Sequence, residues 1–90
     1  MTEQTREMML RLADGASEVL PILHIMHNHY ARCDEMLRWL IRNQISGRDM
    51  VLMVRYQHSN SPLEFFKWLT AKLDHDNELR PMFIGNQYKL

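Results

Sequence analysis

Apolar or small residues recur in alternating steps of three and four through the middle of this chain, and this pattern constrains the fold more than any other feature. We call these positions the seam. They are Ala16, Val19, Leu23, Met26, Tyr30, Cys33, Leu37, Leu40 and Gln44. Only an α-helix places residues with this spacing on one stripe, in the a and d positions of a heptad. The seam therefore predicts one long central helix with an apolar face that other side chains must cover.

Local capping signals predict three further helices. Asp14 and Gly15 end the first helix, and Ser46 with Asp49 three residues later has the spacing of a capping box. Pro62 follows a serine, as at the first position of a helix. The predicted helices cover residues 3–13, 18–45, 47–58 and 62–74, followed by a short C-terminal tail over residues 76–90. Residues 50–54 are apolar all round, so the helix over residues 47–58 is expected to be buried. We therefore expect an all-α fold, a small bundle of about four helices built around the long one.

Length and composition restrict the class of protein. Ninety residues allow a single domain with one core. A single cysteine excludes an internal disulfide framework, and the first residues lack the apolar core of a signal peptide. No apolar run approaches the length that spans a bilayer. We expect an intracellular, cytoplasmic protein in a reducing compartment, without a membrane partner.

The strongest candidate for chemistry is a group of histidines near the only cysteine: His24, His27, His29 and Cys33. Zinc needs about four ligands that converge on one point. On a helix, His24 and His27 lie on one side, whereas His29 and Cys33 lie roughly opposite. The chain also lacks a recognisable pairing of a nucleophile with a base. We therefore expect no metal site, no cofactor and no enzymatic activity.

An apolar seam without catalytic groups favours a protein–protein interaction module, such as a small regulator, adaptor or inhibitor of a larger protein. We expect a homodimer or small homo-oligomer. The residues assigned to self-association are Val19, Leu23, Met26, Tyr30, Cys33, Leu37 and Leu40. In the alternative, the chain's own helices fill the seam, because amphipathic helices usually face their own core. Met82, Phe83 and Ile84 would then form the contact patch.

A nucleic-acid-binding regulator is the second functional hypothesis. The outward side of the long helix carries Arg32, Arg38, Trp39 and Arg42. Arginine binds phosphate and base edges, and an aromatic ring can stack on a base. The chain as a whole has equal numbers of basic and acidic residues, whereas nucleic-acid-binding domains are usually basic. The hypothesis therefore depends on this one face.

Overall fold

A computed structural model describes the backbone of residues 1–86 and the side chains of residues 1–76. Its described part folds into five α-helices, so the all-α fold class is confirmed. The helices are α1 (Glu3–Ala13), α2 (Val19–His29), α3 (Cys33–Arg42), α4 (Gly47–Gln57) and α5 (Pro62–Asn86). None of these five has both the length and the apolar composition that crossing a bilayer requires.

The predicted central helix over residues 18–45 is wrong, because the chain bends between α2 and α3. Tyr30 has extended backbone angles, with φ −130° and ψ 120°, and ends α2. The amide of Cys33 donates to the carbonyl of Tyr30 across a short turn, and α3 begins there. The bend lets α2 contact α1, α4 and α5, while α3 contacts α1 and α5. Two short helices therefore share one core instead of one long helix overhanging it.

The last helix is longer than predicted, since α5 continues through residues 76–86, which we expected to form a tail. The polar residues after Leu73 resembled a helix terminus. Two of them accept hydrogen bonds from other parts of the chain. Arg32, just before α3, donates to Asp74, and Trp39 of α3 donates to Asp76. Met82, Phe83 and Ile84, the alternative contact patch, have side chains outside the described residues.

One core lies at the centre of the bundle, and all five helices contribute to it. Its members have side chains that are at most 8% exposed. They are Met9, Leu12, Ala13, Val19, Leu23, Met26, Cys33, Met36, Leu37, Trp39, Leu40, Met50, Val51, Val54, Phe65, Phe66, Leu69 and Leu73. Four of the eight methionines belong to this set, as expected for a flexible side chain that fills irregular gaps.

The start of α4 is seated tightly against two other helices. Ser46 caps α4 through a complete capping box with Asp49. A Cβ atom on Gly47 would collide with the carbonyl oxygen of Leu12 and lie 2.6 Å from Cγ1 of Val19. Only glycine fits this close approach, which fixes α4 against the end of α1 and the beginning of α2.

Gly47→Ala is expected to lower the free energy of unfolding by about 1–3 kcal/mol, because the methyl group overpacks this contact. Alanine has a higher intrinsic helix propensity than glycine, so a loss of stability would have to come from the close contact. Denaturant unfolding measures the change, and Arg48→Ala at the neighbouring exposed position is the control, with an effect within about 0.5 kcal/mol. An unchanged stability for Gly47→Ala would contradict the close seating of α4.

Candidate functional site

The seam lies inside the protein. Six of its residues are at most 3% exposed: Val19, Leu23, Met26, Cys33, Leu37 and Leu40. Tyr30 is partly buried, and its ring packs edge-on against Phe66 at a centroid distance of 5.6 Å. The chain's own helices therefore cover these residues, as in the alternative to self-association, whereas Gln44 at the end of the seam is exposed. Self-association stays a prediction.

The arginine and tryptophan face predicted for nucleic acid is not one exposed surface. Trp39 is 8% exposed, and its Nε1 donates to Asp76 Oδ2 at 2.6 Å. Stacking of this ring on a base would require the bond to Asp76 to break and the ring to leave its buried position. Arg32 donates to both Glu35 and Asp74, and these hydrogen bonds, the one to Asp74 first, raise the pKa of its guanidinium.

The two remaining arginines of that face lie on α3 and are exposed. Arg38 lies 4.0 Å from the carboxylate of Asp34, one turn earlier on the same helix. Arg42 belongs to the last turn of α3, where a cation also complements the helix dipole. Nucleic-acid binding stays a prediction, and of its four residues these two have the exposure that it requires.

A recess of about 290 Å³ opens beside the bend, between the start of α1 and the start of α3. The buried hydroxyl of Thr5 donates to Asp34 Oδ1 at 2.7 Å and lies 2.7 Å from the hydroxyl of Thr2. The thiol of Cys33 and the ring of His27 also line the recess. Burial, followed by the charge of Asp34, raises the pKa of Cys33 to about 11. The recess therefore holds a neutral thiol, and the Thr5–Asp34 bond joins α1 to α3.

The histidine group has no common centre in the structure. His24 and His29 are exposed, whereas His27 is partly buried beside the recess. Among the described side chains, no three of the histidine, cysteine, aspartate and glutamate residues come together as metal ligands would.

An exposed apolar surface lies on the side of α4 that faces away from the core. We call it the α4 outer face, formed by Arg48, Leu52, Met53, Arg55 and Tyr56. Leu52 and Tyr56 are 48% and 75% exposed, and Met53 is partly buried beside them. A spacing of four residues places Leu52 and Tyr56 on one stripe, opposite the buried Met50, Val51 and Val54.

The α4 outer face combines the residue types that carry binding energy at protein interfaces. Tyrosine, methionine and arginine are enriched there, and exposed aromatic rings are frequent hot spots. Arg48 and Arg55 are both exposed and flank the stripe. Among the described residues, the other large hydrophobic side chains with comparable exposure are Met1, Leu10 and Leu63, each on a different segment from α4.

Sequence reasoning missed this face because residues 50–54 are apolar all round, and such a helix was expected to be buried completely. In a bundle of five short helices, the core contacts α4 on one side only. A signal was nevertheless present, since Leu52 and Tyr56 have helical spacing and lie outside the stripe of Met50 and Val54.

Comparison of the chain with protein-family models, with curated proteins and with solved structures finds no significant match. The function of the chain is therefore inferred from its own residues.

The thiol of Cys33 is expected to react slowly with an alkylating reagent in the folded protein. A pKa of about 11 instead of 9.0 lowers the thiolate fraction near pH 8 about a hundredfold relative to the unfolded chain. Because the folded pKa is the higher one, the stability from the neutral thiol is complete below about pH 9 and is lost as the pH rises through about 11. Alkylation rates in native buffer and in denaturant measure the ratio, and equal rates would contradict the burial.

Proposed function

We propose that this protein is a non-catalytic protein–protein interaction module that binds a larger protein partner through the α4 outer face. The observation that carries the proposal is the exposure of Tyr56 and Leu52, 75% and 48%, on one stripe of a helix whose other side is buried. An aromatic ring held this far into solvent contributes little to the chain's own stability. Its burial by a partner removes apolar area from water, which favours binding.

Contacts at both ends of α4 hold this helix in place, which favours binding through its outer face. The capping box and the close approach at Gly47 fix the beginning of α4. At its end, the ring of His58 packs against Phe65 and Trp68 at centroid distances of 5.5 and 5.7 Å. A helix held at both ends presents Leu52 and Tyr56 in one arrangement, so little conformational freedom is lost on binding.

A partner can reach the α4 outer face, whereas most of the seam residues are buried. It keeps the broader prediction of a regulator, adaptor or inhibitor, because a rigid face on a small domain serves any of these roles. Every aromatic side chain of the core packs within the chain, as in the pairing of Trp39 with Trp68 at 5.9 Å. Tyr56 differs from them in being directed to solvent.

Site-specific photocrosslinking in the native cell tests the proposed function. A photoreactive phenylalanine analogue replaces Tyr56, where its similar size and high exposure leave the fold intact. Irradiation is expected to give one predominant adduct with another protein, and Leu52→Asp in the same chain is expected to abolish it. The matched control carries the analogue at Leu10, which is 51% exposed on α1.

Equal adducts from the two positions, or none from position 56, would contradict the proposal. Thermal unfolding supplies the companion measurement. Tyr56→Ala is expected to change the free energy of unfolding by no more than about 0.5 kcal/mol, as at an ordinary surface position. A larger loss would show that Tyr56 supports the fold instead of a partner.

A further inference from the structure

The α4 outer face has a cationic flank. Arg48 and Arg55 are seven residues apart, which is two turns, so both guanidinium groups lie on the same side of the Leu52–Tyr56 stripe. Among the described side chains, the ion pairs of arginine belong to Arg32 and Arg38, and neither arginine of the flank takes part in one. The flank therefore carries two guanidinium groups that form no ion pair with a described carboxylate.

Asp49, the acidic residue next to Arg48, takes part in the cap of α4. The carboxylate of Asp49 accepts a hydrogen bond from the amide of Ser46, and its own amide donates to the hydroxyl of Ser46. This capping box keeps the Asp49 carboxylate at the first turn of α4. A partner that covers Leu52 and Tyr56 thus meets the two arginines beside an apolar centre.

An antiparallel second copy fits this surface poorly. A two-fold axis between antiparallel helices brings equivalent flanks together, so the flank of Arg48 and Arg55 would oppose the same flank of the second copy. Like charges would then meet at the edge of a small apolar contact, where repulsion weakens association.

We propose that the partner of the α4 outer face is an acidic amphipathic helix. Its apolar side chains cover Leu52 and Tyr56, and carboxylates two turns apart pair with Arg48 and Arg55. This inference rests on the proposed function, because it names the chemistry of the partner that binds there. Arginine favours carboxylates through paired hydrogen bonds, and the spacing of about 10 Å between two residues seven apart is repeated on a facing helix.

Nucleic acid matches the surface less well, although it is also acidic. Leu52 and Tyr56 form the apolar stripe of the face, and a phosphate backbone offers Leu52 no apolar contact. Two arginines also supply few phosphate contacts in a chain with no net charge. An acidic protein helix satisfies both the apolar centre and the charged flank.

Selection from a displayed library of random peptides against the purified full-length chain tests the inference. The selected peptides are expected to share apolar residues at helical spacing together with several aspartates or glutamates. Arg48→Glu with Arg55→Glu is expected to weaken their binding at least about tenfold. The control pair, Arg6→Glu with Arg11→Glu, reverses two exposed charges on α1 and is expected to leave binding unchanged.

A charge swap distinguishes a specific contact from general repulsion. Peptides in which lysine replaces the acidic residues are expected to bind the Arg48→Glu, Arg55→Glu chain and to lose affinity for the wild type. Binding of the original peptides is expected to weaken as salt is added, since exposed charge pairs are screened. A swap that fails to restore binding would overturn the proposed pairing.

The remaining outcomes separate this inference from the proposed function. Selected peptides that require Tyr56 and Leu52 but contain no acidic residues would overturn the acidic partner alone. Selected peptides that tolerate both Tyr56→Ala and Leu52→Asp, or a library that yields no binder, would overturn the α4 outer face itself. Duplex DNA that binds at low salt and is lost with Arg48→Glu and Arg55→Glu would assign the flank to nucleic acid instead.

Discussion

The turn from Tyr30 to Arg32 lets two consecutive helices, α2 and α3, face one core that α5 also contacts. Without the turn, the seam would extend along a straight helix of about 40 Å, longer than the core of a small domain. Tyr30 packs on Phe66 at one side of the turn, and Arg32 donates to Asp74 and Glu35 at the other. These contacts tie the turn to α5.

Aromatic contacts join α3, α5 and the end of α4. Trp68 of α5 packs edge-on against Trp39 of α3 and lies beside His58, which follows α4. Aromatic pairs of this kind contribute about 0.5–1.5 kcal/mol each beyond the area they bury. This cluster and the close approach at Gly47 hold the core-facing side of α4. The α4 outer face is the opposite side of the helix, which the core does not contact.

Periodicity and capping signals predicted the all-α class, whereas a seam filled by the chain's own helices was only the alternative to self-association. The bend was missed because the phase of the seam continues across it. Unbroken phase alone therefore predicts an unbroken helix. Both α2 and α3 must turn their apolar residues toward the same core, however, and this alone preserves the phase. A backbone turn that leaves the pattern intact cannot be recognised from the pattern.

The functional residues were predicted less well, because exposure depends on which helices meet. Trp39 was assigned to an outward face, yet α5 covers it and Asp76 accepts its indole hydrogen. Leu52 was assigned to the core, yet no helix covers it. Both errors concern tertiary neighbours, which local propensity and spacing do not specify. The capping residues Ser46 and Asp49, by contrast, depend on local geometry and were predicted correctly.

Light scattering over a dilution series, combined with far-UV circular dichroism, tests most directly whether one chain covers its own seam. A chain that does so is expected to keep its helical signal unchanged when dilution brings its mass to that of a single copy, 10.8 kDa. A helical signal that is lost as the mass falls from two copies to one would contradict self-coverage. In that case the seam would need a second chain to fold.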